Sequence, residues 1–303
     1  MNASSRVDAE HGHATVAGGC AEAISCIRDG MTVAVGGSIN SGHPMALVRA
    51  LIQRAAKDLT IVCGFGSMDI DMLVGSGAVR RLVAAFVGVE GVSGVAPLLR
   101  WACEGNRIEA WDLDEGVLLT ALRAAAQRVP YATWRCGLGT DATANPLCEL
   151  VGDAWDGKPY LKVRPLPVDV CLYWAEAADV DGNVLRWGAD FGDPGLAAAS
   201  AVRIVQVERI VPARLLEDAA DRVAPWQADI VVSAPLGTYP FAGSAIDDDL
   251  SWLSSYLETM AALHRDGDWD RVAPTIARLL CLDGGEHAFL ESVGVARLRE
   301  LMA

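Results

Sequence analysis

The sequence predicts an α/β protein in which a mostly parallel sheet is flanked by helices. Three observations carry that expectation. Short, wholly apolar runs such as Thr32-Val33-Ala34-Val35 and Val170-Cys171-Leu172 recur along the chain. Strands this apolar are buried on both faces, which is the signature of parallel sheets covered by helices. Between them lie stretches with apolar residues at helical spacing, and Gly, Pro and Asp separate the two kinds of segment.

Taken in order, the first fifteen residues are small, polar and His-containing and read as a flexible tail (1–15). Residues 21–28 read as a helix and 32–35 as the first buried strand. Over 43–56, Leu47, Val48, Leu51, Ile52 and Ala55 fall on one helical face. A strand over 59–62 ends in the turn-like Gly64-Phe65-Gly66, a helix follows over 68–73, and a third strand over 81–87. Residues 95–104 form a helix closing on Gly105, and 108–111 a strand. The Ala- and Leu-rich stretch 115–128 is a helix stopped before Pro130. Residues 137–167 carry Gly, Pro, Asp and Asn without a period and read as a long excursion. Apolar strands return at 168–175, 203–207 and 230–232, and helices at 249–263 and 269–280. With no repeat and no linker, the simplest division is one domain over 16–265 and a helical C-terminal extension over 266–303.

Composition narrows the classes of function. The 303 residues are 52% hydrophobic and 21% charged, which describes a globular chain with a sizeable core. A net charge of −14 repels duplex nucleic acid and anionic membrane surfaces, so no nucleic-acid or membrane partner is expected. The eight Cys include no C-x-x-C pair, and the five His do not join them at metal-ligand spacing. Reduced thiols and no metal are expected, with His11 and His13 in a solvated tail. Residues 1–10 lack the apolar core of a signal peptide, and no apolar run approaches ~20 residues. The chain therefore reads as cytoplasmic. Nine Trp fall among few aromatics, with Trp134, Trp155 and Trp187 placed in loops or turns. Such indoles serve either as core filling or as contacts with a partner.

In open parallel sheets, ligands bind beyond the carboxyl ends of the strands. The loops after Val35, Val62, Val87 and Trp111 are therefore the candidates. The first is the most informative. A buried strand runs into Gly36-Gly37, then Ser38, Ile39, Asn40, Ser41, Gly42, His43 and Pro44. Two glycines permit close approach of backbone or ligand, and Pro at a helix start loses no hydrogen bond. Free N–H groups of such a loop and helix end would cradle a carboxylate or oxyanion. The alternative is a tight turn with no ligand. The glycine spacing is neither the dinucleotide fingerprint nor the phosphate loop.

Residues 29–44 resemble the signature of the family I coenzyme A transferases. That signature has Asp or Asn, Gly or Asn, two free positions, three apolar residues, Gly-Gly-Phe, three free positions, Gly, one free position and Pro. Only Ser38 departs, standing where the family has Phe. Residues 122–130, 135–141, 169–172, 178–183, 205–211 and 234–240 are similar to the α subunit of the glutaconate and 3-oxoacid type, so the likeness spans about 20 to 260. It implies the family's open sheet, of the kind shared with sugar-phosphate isomerases of the NagB type. It also implies a coenzyme A thioester as substrate rather than a resident cofactor.

What the resemblance implies about chemistry is covalent catalysis. A glutamate attacks the acyl-CoA thioester to give an acyl-glutamyl anhydride, and CoA thiolate returns to form a glutamyl-CoA thioester. In two-subunit members that glutamate lies in the β chain, within a Ser-Glu-Asn-Gly-like stretch absent here. The partner expected is thus a β-type subunit, in a heterodimer or α2β2 assembly that binds acyl-CoA and a carboxylic acid. Substrate contacts are expected from Gly36, Gly37, Ser38, Asn40, Ser41, Gly42 and His43, with an N-capping role as the alternative for His43. Glu90, just after a strand, is another position able to face a site. Glu115 begins a helix, where the dipole alone explains an acidic residue; its functional reading is a general base, in relatives that hydrolyse thioesters or open rings. A non-catalytic binding or regulatory subunit is a further reading of the same scaffold.

Overall fold

The computed structural model describes residues 14–302, apart from 93, 94, 189, 190, 218, 220 and 221. Strand β1 (Thr15–Ala17) and the single-turn α1 (Cys20–Ala23) lead into β2 (Thr32–Val35), α2 (Met45–Gln53), β3 (Leu59–Gly66) and α3 (Met68–Gly75). Then come β4 (Val79–Val87), α4 (Pro97–Glu104), β5 (Glu109–Asp112) and α5 (Glu115–Ala126). Three strands follow, β6 (Ala132–Trp134), β7 (Cys148–Gly152) and β8 (Pro159–Val163). The long β9 (Val168–Ala178) turns back in β10 (Val184–Leu185), ahead of α6 (Asp193–Ala199), β11 (Ser200–Ile210), α7 (Arg214–Glu217) and β12 (Ile230–Ser233). Helices α8 (Leu250–Asp266), α9 (Val272–Leu279), α10 (Gly285–Val293) and α11 (Val295–Leu301) come last.

The main sheet has the order β1-β12-β11-β9-β2-β3-β4-β5, with every one of those pairings parallel and only β10 antiparallel against β9. The expected mostly parallel sheet is present. Period-two alternation divides its side chains between two cores. Val33, Val35, Leu172, Ile204 and Val232 pack beneath α2, α3, α4 and the C-terminal helices. Ala34, Cys171, Tyr173, Val205 and Val231 pack beneath α5, α6 and the small sheet. Each fully buried Val, Leu or Ile contributes roughly 1.5–3 kcal/mol.

Several elements differ from their sequence expectation. Gly64-Phe65-Gly66 is not a turn but the end of β3, where a Cβ on Gly64 would stand 3.5 Å from the Cα of Gly192. These glycines let two backbones meet rather than let one turn. The 137–167 excursion contains β7 and β8, which with β6 make a three-stranded antiparallel sheet in the order β6-β8-β7. Its outer strands are short and partly to fully exposed, with Glu149 or Thr133 interrupting their apolar residues, so no apolar run announced them. The strand expected over 108–111 is present as β5, one residue on, at the exposed edge of the sheet. Helix α1 stops at Ala23 instead of running to residue 28. Of the tail expected over 1–15, only the last two residues are described, and Thr15 is paired with Ile230; His11 and His13 lie outside the described residues.

The helices beyond β12 are bound into the first core through Val272, Ile276, Leu280 and Phe289. Two arginines fasten them. Arg49 on α2 is buried, donates through Nε to Glu286 at 2.7 Å and through Nη1 to the carbonyl of Tyr239 at 2.8 Å, and lies over the Phe289 ring. Arg297 grips the Asp249 carboxylate at 2.9 and 2.8 Å, and Asp249 also caps α8 by accepting from the Trp252 amide.

Candidate functional site

The glycine loop leaves β2 at the carboxyl edge of the sheet, beside the carboxyl ends of β3 and β9. Its amides are bonded within the chain. Gly36 N–H donates to the Leu172 carbonyl, Gly37 N–H to the Asp193 carboxylate at 3.0 Å, and Ser38 N–H to Ser41. Ile39 and Gly42 donate to the carbonyls of Phe65 and Ala242. At the start of α2, Ala46 and Leu47 donate to the Gly237 carbonyl and the Gln206 side chain. The amide cradle expected for an anion is therefore taken up internally, because the helix start is buried under residues 234–242 instead of facing solvent.

The glycines are needed for packing. A Cβ on Gly36 would sit 3.0 Å from Asp193 Oδ1, and one on Gly37, at φ +117°, would sit 2.6 Å from His43 Nδ1. No side chain tolerates the second position without displacing the imidazole.

His43 does not cap α2, nor does it reach outward. It is fully buried. Nδ1 is 2.9 Å from Asp69 Oδ2, Nε2 is 3.0 Å from the Ile39 carbonyl, and Phe241 stacks on the ring with centroids 4.2 Å apart. With Asp69 as a carboxylate both partners are acceptors, an arrangement that an imidazolium, donating from both ring nitrogens, satisfies in full. Burial alone would lower its pKa, but the Asp69 carboxylate and the Ile39 carbonyl outweigh that and raise it. Asp69 is itself buried and accepts from the Ser67 amide at 2.8 Å.

The loop side chains that remain partly accessible are Ile39, Asn40 and Ser41. Asn40 Nδ2 donates to the Glu90 carbonyl at 3.0 Å, which ties the glycine loop to the segment after β4 and leaves the Glu90 side chain exposed. Asn40 Oδ1 is buried and without a partner among the described residues. Ser41 Oγ donates to the Ser38 carbonyl, and Ser38 is buried. An apolar margin completes the arrangement. Phe191, 54% exposed, packs on Phe65 with centroids 5.3 Å apart, and Trp187, 36% exposed, packs edge-on against Trp174. Trp174 lies 3.6 Å from where a Cβ on Gly42 would stand.

The structure thus brings Gly36, Gly37, Ser38, Asn40, Ser41, Gly42 and His43 together with Glu90, and separates them from Glu115. Glu115 is exposed at the start of α5, beyond the edge strand β5. That strand is three places from β2, about 14 Å at ~4.8 Å per strand. Among the described residues the Glu115 side chain makes no hydrogen bond or ion pair, and Asp114 provides the cap by accepting from Val117. Sequence reasoning missed Asp69, Asp193 and Phe191. Asp193-Pro194 at a helix start was the one legible signal among them, as an acidic residue before Pro. Of the three tryptophans placed in loops, Trp134 is in β6 over Gly116, and Trp155 is 96% exposed between β7 and β8. Among the described residues no helix is long and apolar enough to cross a membrane, and no group of three or more His, Cys, Asp or Glu is placed to hold a metal ion.

Comparison with known proteins identifies the family of the chain. Residues 19–228 match the family model described as coenzyme A transferase. The chain is 30% identical over 258 residues to the cholesterol ring-cleaving hydrolase IpdA subunit of Rhodococcus jostii, covering 78% of this chain and 84% of that one. It is 32% identical over 219 residues to the A-type subunit of the 3-oxoadipate CoA-transferase of Pseudomonas knackmussii, covering 71% and 77%. The crystal structure of glutaconate coenzyme A-transferase from Acidaminococcus fermentans superposes with a TM-score of 0.87 over 96% of each chain at 23% identity, a likeness of fold.

Proposed function

This chain belongs to the coenzyme A transferase family as an α-type subunit, and from that premise we propose that it is half of a two-chain enzyme acting on acyl-CoA thioesters. The reaction proposed is CoA transfer between an acyl-CoA and a carboxylic acid. The partner's carboxylate attacks the thioester carbonyl, CoA thiolate leaves, and an acyl anhydride forms; the thiolate then attacks the glutamyl carbonyl of that anhydride and expels the first carboxylic acid. The acceptor acid regenerates acyl-CoA by the reverse steps.

The observation that supports this reading is an open face beside the glycine loop, which we take as one wall of a shared site. A loop locked by its own hydrogen bonds meets an exposed aromatic margin of Phe191 and Trp187 at the carboxyl edge of the sheet. Two candidate reacting groups of the loop are engaged, with His43 buried against Asp69 and Ser41 bonded to a carbonyl. A wall of this kind needs a second molecule to close it and to bring the reacting carboxylate. The β-type partner, as a heterodimer or α2β2, supplies both.

One observation favours a second reading, hydrolysis of the thioester or of a ring bearing it. The Glu90 backbone is tied to Asn40 and its carboxylate is exposed, which supports Glu90 as a base for water. On this reading Glu90, not Glu115, is the base. Co-purification with a β-type chain, followed by acyl-CoA and hydroxylamine, separates the two. A hydroxamate on a glutamate of the second chain supports transfer. CoA release without an acceptor acid, lowered roughly 100-fold or more by Glu90→Gln, supports hydrolysis. A chain that remains alone under all conditions and turns over no thioester would remove both.

A further inference from the structure

His43, Asp69 and the Ile39 carbonyl form a buried chain of hydrogen bonds directly beneath the residues that face the site. Ile39 is held at φ +58°, a left-handed conformation that a β-branched residue avoids unless something outside it fixes the turn. The imidazole does so from below, since its Nε2 donates to the Ile39 carbonyl. Gly37 is without a side chain at the one place where the ring needs room. The next residue after Ile39 is Asn40, which joins the loop to Glu90. We infer that His43 and Asp69 are a positioning pair, in which the charged imidazole fixes the Ile39–Asn40 turn and with it the placement of Asn40, Ser41 and Glu90.

The pair acts only while the ring is doubly protonated. A neutral imidazole has one N–H and faces two acceptors, so one of the two bonds is lost. The charged groups facing the ring are Asp69 on α3 and Asp193 at the start of α6; both favour the imidazolium, and Phe241 covers a ring face. Asp71 and the Cys63 thiol lie around Asp69. Asp69→Asn keeps shape and removes the charge; with its oxygen on the Ser67 amide it turns an N–H towards Nδ1, so a neutral ring accepts there and keeps its Nε2–H on Ile39. His43→Phe keeps a planar ring but removes the donor to Ile39 and frees the turn.

The inference rests on the glycine loop being the site of the proposed enzyme, so the test has two arms. On the full chain labelled with 15N-histidine, the resonance lost in His43→Asn should show imidazolium shifts at neutral pH, and Asp69→Asn should show a neutral ring that reprotonates on acidification. Amide exchange at 38–42 in His43→Phe should be faster by roughly tenfold or more, with β2 and β3 unchanged, and in Asp69→Asn should stay near wild type. In the assembled two-chain enzyme, His43→Phe should lose kcat with KM little changed, and Asp69→Asn, which keeps the Ile39 bond, should retain it. A neutral His43 in the wild-type chain, or a folded His43→Phe with wild-type loop exchange, overturns the inference. If the wild-type assembly turns over no thioester, the functional reading fails, and the histidine shifts and loop exchange still decide the pair.

Discussion

Asp71 offers the sharpest test of the fold's electrostatics. It lies on α3, fully buried, and joins three helices: Oδ1 accepts from the Leu99 amide of α4 at 2.8 Å and Oδ2 from the Tyr256 hydroxyl of α8 at 3.0 Å. Burial pushes its pKa up to about 7, and these hydrogen bonds offset only part of that. In the unfolded chain the group titrates near its usual value of about 3.9. Between these values the native state keeps a proton that the unfolded chain has released, so stability falls as pH rises through that window and levels off above it. Three units at about 1.4 kcal/mol each put the full cost near 4 kcal/mol. Asp71→Asn retains an acceptor for Leu99 and gains a donor for the tyrosine oxygen, but carries no charge to desolvate. Paired urea unfolding of wild type and variant at pH 5, 6, 7 and 8 isolates this one group. The difference should widen in favour of the variant by about 1.4 kcal/mol per unit from pH 5 to 7, then stay level at pH 8. A difference that is constant across the series would refute the reasoning.

Gly37→Ala should cost about 3 kcal/mol through strain and the collision with His43, whereas Gly30→Ala, at φ +82° with open space around it, should cost about 1; thermal unfolding compares them. Arg49→Met should destabilise by about 3 kcal/mol, since it strands the Tyr239 carbonyl and leaves Glu286 without its partner. Limited proteolysis should then release α10 and α11 before cutting the sheet. Glu115→Gln should leave thioester turnover within about threefold of wild type, because the residue only favours the α5 dipole; a loss as large as that of Glu90→Gln would restore it as the base.

The parallel sheet was legible because burial on both faces writes itself into the sequence as unbroken apolar runs, as at Val33–Val35 and Val170–Leu172. The small sheet was not, since β7 and β8 are half exposed and their pairing depends on neighbours rather than on their own pattern. At the site the same division holds. The glycines and their place after β2 could be read, but what they serve could not. Gly37 makes room for a ring six positions on, and its amide meets a carboxylate 156 residues away. His43 looked like a donor to substrate because His beside a loop is an ordinary ligand; its carboxylate stands 26 residues later with nothing local to mark it. The departure at Ser38, where the family signature has Phe, also becomes intelligible in three dimensions. Ser38 is buried and bridged to Phe65, and Phe65 together with Phe191 sets aromatic surface against the same loop from β3 and from the segment before α6. On the proposed function the chemistry is divided between two chains, and so is its legibility: this chain's residues specify how firmly the glycine loop is held and how apolar its margin is, while the reacting carboxylate is proposed to come from the partner.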